Sequence, residues 1–127
     1  MSSERKFFRC TRCGQLVGVI QTGVGTLVCC DQPMDELIPN TVEAAKEKHV
    51  PVVTRDGNFL HVQVGSTIHP MLSEHYIQWI YVYTKTGGYR HAFQPGETPE
   101  ATFCIQNEDP VAVYEYCNLH GLWMTEL

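Results

Sequence analysis

Four of the chain's six cysteines fall within its first 36 residues, as Cys10-Thr11-Arg12-Cys13 and Cys29-Cys30, in a stretch punctuated by glycine. A segment of that size seldom buries enough apolar surface to hold a fold; below about 40 residues, cross-links or metal usually supply the difference. Most of the valine, isoleucine, tyrosine, phenylalanine and tryptophan lies between residues 40 and 127, enough for an ordinary core. The division predicts two domains, a four-cysteine unit over 1–36 and a larger unit over 40–127, joined by a linker at 37–39.

Periodicity makes both units mainly β. In the first, an apolar run from Leu16 to Ile20 and a shorter one from Thr26 to Val28 flank Gly23-Val24-Gly25, which reads as a hairpin between the two cysteine pairs. In the second, Asn40 followed by Glu43 resembles a helix start, and Pro51 limits that helix to at most two turns. Leu60, Val62 and Val64 then alternate with polar residues after an Asp56-Gly57 turn. Tyr76–Tyr83 is a longer apolar run, Gly87-Gly88 turns into Tyr89, His91 and Phe93, and Pro95-Gly96 turns again. Phe103–Gln106 and Val111–Tyr116 read as the last two strands. Six or seven short strands at this spacing predict an antiparallel sandwich.

A net charge of -5 and a pI near 5.6 provide no extended basic face, which excludes nucleic acid as the expected partner. The charged opening, Met1 to Phe8, lacks the apolar core of a secretory leader, and no run of about 18 apolar residues could span a membrane. A soluble cytoplasmic protein is expected. In that reducing setting a Cys-x-x-Cys pair reads as metal-binding or redox-active rather than as a disulfide.

Cys10, Cys13, Cys29 and Cys30 can supply four thiolates to one tetrahedral ion, either zinc or iron. Neighbouring cysteines at 29 and 30 restrict the angle between their sulfurs and should distort that tetrahedron. The alternatives are a strained vicinal disulfide or a purely structural zinc knob. Of the six histidines, His61 and His91 fall within strand patterns and read as ordinary side chains. His49, His69, His75 and His120 each stand at a break between strands, where loops converge on a mouth. Cys117, three residues before His120, can reach the same ion, whereas Cys104 sits mid-strand and reads as a small buried hydrophobe. Four imidazoles and a thiolate suit a metal with octahedral preference and one vacant position better than a closed structural zinc. A thiolate opposite the vacancy would push electron density into the metal, and a ferrous site near +1 would suit a small anion. The Lys46, Lys48 pair beside His49 supplies the local cation that the acidic whole lacks.

The motifs Glu47-Lys48-His49-Val50-Pro51, His69-Pro70-Met71, Glu74-His75-Tyr76-Ile77-Gln78-Trp79 and Glu115 to Trp123 together resemble those of desulfoferrodoxin, the two-iron form of superoxide reductase. Cys10, Cys13, Cys29 and Cys30 are similar to the ligands of its desulforedoxin-like domain. The resemblance covers residues 6–127. It implies a small desulforedoxin/rubredoxin-like metal domain followed by an immunoglobulin-like antiparallel β-sandwich. It further implies iron in both centres, zinc being possible in the first, with His49, His69, His75 and His120 around the catalytic iron and Cys117 axial. Superoxide would be reduced to hydrogen peroxide, as protection against oxidative stress, and a rubredoxin-like donor would restore the electron. Lys48 matches the residue that attracts superoxide and organises water, Glu47 the carboxylate that can occupy the sixth position of oxidised iron. The family is usually homodimeric. The competing readings are a non-catalytic iron electron-transfer protein, a zinc-binding interaction module and a dismutase.

Overall fold

A computed structural model describes residues 5–127; the reading of the charged opening as lacking a secretory leader falls partly on residues 1–4, outside the described residues. The chain divides into two compact units, Met1–Ile38 and Pro39–Leu127.

In the first unit β1 (Phe7–Arg9) is the central strand of a small antiparallel sheet, with β2 (Leu16–Gly18) on one side. β3 (Val28–Cys29) and β4 (Gln32–Pro33) form a separate two-stranded ladder, and β5 (Asp35–Glu36) returns to the other side of β1. The expected hairpin between the runs at 16–20 and 26–28 does not form. The Cys10–Gln15 knuckle folds β2 straight back onto β1, through Cys10 N to Gln15 O (2.9 Å) and Gly14 N to Cys10 O (2.8 Å). β3 instead turns forward onto β4 through Cys30 and Asp31, both at positive φ (53° and 60°). Two consecutive left-handed residues make the tight turn whose twist suits a two-residue hairpin.

The second unit begins with a single helical turn, α1 (Lys46–His49). Seven strands follow: β6 (Pro51–Asp56), β7 (Phe59–Val64), β8 (Ile77–Thr84), β9 (Gly87–Ala92), β10 (Glu100–Cys104), β11 (Pro110–Cys117) and β12 (Gly121–Glu126). They form the expected immunoglobulin-like sandwich, a three-stranded sheet β10-β7-β6 and a four-stranded sheet β12-β11-β8-β9, antiparallel throughout. Alternation along β7 sends Leu60, Val62 and Val64 inward against Ile80 and Val82 of β8 and Val113 of β11, with Phe93, Phe103 and Ile105 completing the core. No helix among the described residues is long and apolar enough to cross a membrane.

Four details depart from expectation. Asn40 does not start a helix: it stands at φ 63°, and its side-chain amide pairs with both backbone groups of Met124 on β12, accepting from the N–H (2.9 Å) and donating to the carbonyl (3.2 Å). The helix starts only at Lys46. The β8–β9 turn falls at Lys85-Thr86, so both glycines lie in β9, where Gly88 leaves room for the Tyr81 hydroxyl. A further strand, β12, follows the predicted last one. Cys104 is exposed rather than buried, because inward-facing Phe103 and Ile105 on either side leave it on the outer face of an edge strand.

One polar cluster locks the far end of the four-stranded sheet. Glu108 accepts hydrogen bonds from Thr84 Oγ1 (2.8 Å), Thr86 Oγ1 (2.9 Å) and the Tyr89 hydroxyl. Thr84 is fully buried, so its hydroxyl depends on this carboxylate.

Candidate metal centres

Register places the histidine loops at one end of the sandwich. Pro51, at the start of β6, pairs with Val64 at the end of β7, so α1 and the 65–76 connection leave the three-stranded sheet side by side. In the other sheet Ile77 pairs with Cys117, and Cys117 with Gly121, which brings the start of β8 and the β11–β12 turn to one edge. The connection 65–76 runs from the first sheet to the second and carries His69 and His75. Three segments distant in sequence thus deliver His49, the His69–His75 pair and the Cys117–His120 pair to one mouth.

Their donor atoms all lie within 4.8 Å of one another. His49 Nε2 is 3.1 Å from His120 Nδ1 and 3.1 Å from His69 Nε2; the Cys117 sulfur is 3.5 Å from His69 Nε2 and 3.9 Å from His120 Nδ1. Tautomers follow from the outer hydrogen bonds. His49 Nδ1–H donates to Ala45 O (2.7 Å) and His69 Nδ1–H to Pro70 O (2.6 Å), so each ring presents a bare Nε2 lone pair to the centre. His75 Nε2 is buried without a hydrogen-bond partner among the described residues. Bare lone pairs 3.1 Å apart repel one another, and a cation between them removes the conflict. This donor set fits a metal ion, held through Nε2 of three histidines, Nδ1 of His120 and the Cys117 sulfur.

Electrostatics agree. Burial lowers the pKa of His69 to about 4, and burial together with the neighbouring imidazoles also lowers His49 and His75, so the rings stay neutral and able to ligate. Burial raises the Cys117 thiol, opposed by the backbone N–H groups of Leu119 and His120. A bound cation would reverse that balance in favour of thiolate. Trp123, fully buried, braces two ligands: its ring stacks on His49 (centroids 5.0 Å, 27°) and its Nε1–H donates to His120 O (3.1 Å).

Glu47, exposed, and Lys48, half-buried, immediately precede His49 on α1. The Lys48 charge acts on both His49 and His75. The loop is seated by Gly65, at φ 81°, whose own N–H reaches Val50 O (3.1 Å), while Thr67 N donates to Glu47 O (2.8 Å). A Cβ on Gly65 would meet Thr67 O, Glu47 O and Lys48 C at 2.5–2.7 Å. His61 and His91 stay outside the site, on β7 and β9. Glu115 was given no role by the sequence, yet its fully buried carboxyl faces inward one pleat from Cys117, with no hydrogen-bond partner among the described residues. Burial lifts its pKa well above the ordinary carboxylate value, which favours the protonated form. The one available signal was a glutamate inside the apolar run Val113–Cys117.

In the first unit the four cysteine donors also lie within 4.8 Å of one another. Cys13 and Cys29 sulfurs are 3.6 Å apart, Cys29 and Cys30 sulfurs 3.9 Å. A tetrahedral ion about 2.3 Å from each sulfur requires sulfurs about 3.8 Å apart. Cys29 is in a strand and Cys30 in a left-handed turn, and that change of backbone brings adjacent side chains to one centre. Backbone N–H groups of Cys13 and Arg12 help hold Cys10 down at about 6, whereas hydrogen bonds with Cys13 and Cys10 push Cys29 up to about 12. Four thiols this close ionise together only around a cation.

A β-sandwich with a four-imidazole, one-thiolate centre, together with a four-cysteine knuckle unit in the same chain, defines a non-haem metalloprotein with two centres. The desulfoferrodoxin profile matches residues 41–126, and the profile of the desulfoferrodoxin N-terminal domain matches residues 2–37. The chain belongs to the desulfoferrodoxin family. It is 47% identical over 126 residues to the desulfoferrodoxin of Syntrophotalea carbinolica, with 99% of each chain covered. It is 44% identical over 126 residues to that of Nitratidesulfovibrio vulgaris, again over 99% of each chain. Among solved structures, the superoxide reductase from Treponema pallidum superimposes with a TM-score of 0.80 at 35% identity, covering 97% of this chain and 99% of that one.

Proposed function

We propose that this protein is a superoxide reductase, with iron held by His49, His69, His75, His120 and Cys117. The chemistry that bound iron supplies is one-electron reduction: superoxide takes up one electron and two protons and leaves as hydrogen peroxide. The observation that carries the reading is the convergence of four imidazoles and a buried sulfur at a mouth where His75 and His120 are half-exposed and Lys48 stands alongside.

The chain's own residues account for selectivity. Lys48 offers a positive charge beside the mouth of a protein whose net charge is -5, so a small anion is drawn to that point rather than to the surface at large. Its ammonium would also order water near such an anion and so help to bring protons to it. Glu47, exposed on the same helical turn, would be the carboxylate available to such a metal. Cys117, buried in the core, would supply the thiolate that donates electron density to such a metal, and the Leu119 and His120 N–H groups would stabilise its charge. Iron is also assigned to Cys10, Cys13, Cys29 and Cys30, with zinc as the alternative.

The electron returns from an outside carrier, a rubredoxin-like protein. The protein acts as a homodimer through its first unit. There Ile20 and Val24 are almost fully exposed and Val28 largely so, and a concavity of about 380 Å³ is lined in part by Phe8, Val19 and Leu27. So much apolar surface on so small a unit supports a partner copy. Six unbridged cysteines suit a reducing compartment, the cytoplasm, and defence against oxidative stress.

The test combines an iron and zinc count with mixing of the ascorbate-reduced protein and a known quantity of superoxide. One peroxide per superoxide, without dioxygen release, is expected. Half that yield with dioxygen evolved would identify a dismutase, and no reaction would leave an electron carrier.

A further inference from the structure

His75 is the ligand with the least support of its own. His49 and His69 each anchor a ring nitrogen on a backbone carbonyl, Cys117 is held in the β11 ladder, and the carbonyl of His120 takes the Trp123 indole. The His75 ring has no such anchor among the described residues; its backbone closes a tight turn with Leu72 (Leu72 N to His75 O 2.9 Å, His75 N to Leu72 O 3.1 Å). What ties that turn to the rest of the centre lies in the other ligand loop. The side chain of Asn118 brackets His75, accepting from Tyr76 N (2.9 Å) and donating to Glu74 O (3.0 Å), while Asn118 N donates to Tyr76 O (3.3 Å).

The reason is local. The β8–β11 ladder slips register between Tyr116 and Cys117, and beyond that point the backbone turns away into the 118–120 loop. A peptide-like side chain can then replace the missing strand partner, with one acceptor and one donor in the right sense. The orientation of the amide is forced, because Tyr76 N can only donate and Glu74 O can only accept. Asn40 closes the gap beside Met124 in the same way.

We infer that Asn118 is a positioning residue, whose amide clamps the His75 turn to the Cys117–His120 loop and so fixes the fourth imidazole relative to the sulfur. The inference rests on the metal-site reading above and not on the identity of the substrate. Loss of an outer partner of a metal ligand typically weakens metal binding 10–100-fold.

The experiment loads the full-length protein with iron and follows its release to a ferrous chelator, together with the electron paramagnetic resonance of the ferric centre. Asn118→Ala should release iron at least about 10-fold faster than wild type and change the rhombicity of the ferric signal, with the four-cysteine centre's spectrum unaltered. Asn118→Asp keeps the acceptor for Tyr76 N but sets a carboxylate against Glu74 O; it should also release iron faster, in a side chain of nearly the same size. Glu108→Ala, at the opposite end of β11, roughly 25 Å of strand away, is the control for global destabilisation and should hold iron as wild type does. Wild-type release rates and ferric spectra in both Asn118 variants would overturn the inference, as would equally fast release from Glu108→Ala. A wild-type protein that binds no iron at this centre would instead overturn the metal-site reading itself.

Discussion

Replacing Gly65 by alanine adds a single carbon, yet it should disturb both the fold and the iron site. Two costs can be separated. At φ 81° a Cβ incurs the left-handed penalty, about 1–2 kcal/mol. It would also lie 2.5–2.7 Å from three backbone atoms of Glu47, Lys48 and Thr67, so reaching ordinary contact near 3.4 Å requires a shift of 0.7–0.9 Å (3.4 less 2.7 and 3.4 less 2.5). Backbone atoms in a seated loop cannot rotate aside as a side-chain tip can. The shift breaks or stretches Thr67 N to Glu47 O and Gly65 N to Val50 O, at about 1 kcal/mol each. The total is about 3–4 kcal/mol. Because Glu47 and Lys48 move, His49 moves with them, and a displacement near 1 Å can cost about 100-fold in rate. Gly57→Ala is the matched control, with φ 59° and nothing within 4 Å of its Cβ. Urea unfolding of both variants, with superoxide kinetics by pulse radiolysis, should show Gly65→Ala less stable than Gly57→Ala by about 2 kcal/mol and alone impaired in rate. Equal stability losses, or a wild-type rate in Gly65→Ala, would refute the close-approach argument.

Cys117→Ser should abolish the sulfur-to-iron visible absorption and the reductase activity while the four-cysteine centre persists, as read by absorption of the oxidised protein; full activity would contradict the role of the sulfur. Lys48→Ile should slow the encounter with superoxide and flatten its dependence on ionic strength, and an unchanged bimolecular rate would remove Lys48 from the mechanism. Glu108→Ala should cost about 2–4 kcal/mol, since it strands the buried Thr84 hydroxyl along with two others, and thermal melts check it. In metal-free protein the lowered pKa of His69 means that the unfolded chain takes up a proton the fold refuses. The stability advantage of wild type over His69→Gln should therefore be complete above pH 6.5, fall as the pH drops toward about 4 and level off below. A pH-independent difference would show that His69 titrates normally.

Much of the site was readable from residue types at breaks in the strand pattern. Imidazoles and thiols announce metal chemistry wherever they stand, and the positions of Pro51, Pro70 and Gly121 marked the loops that present them. Alternation along Leu60, Val62 and Val64 likewise disclosed a half-buried strand, because its period of two is imposed by backbone geometry. Local pattern failed where a distant partner decides the outcome. Asn40 carries a good capping signal, yet β12 claims its amide. Cys104 is apolar enough for a core, but strand parity turns it outward. The 16–20 run looked for its partner across a glycine turn and found it across the cysteine knuckle.

The amino-acid order by itself settled the composition of both centres, the mainly β character and the absence of a basic face, since these depend on side-chain chemistry and on periods of a few residues. Only the tertiary structure decided which ring nitrogen each histidine presents, that Glu115 is buried near Cys117, and that Gly65 and Asn118 seat the ligand loops. Those properties arise from contacts between segments tens of residues apart, and a contact of that kind leaves no local signature until the chain has closed upon itself.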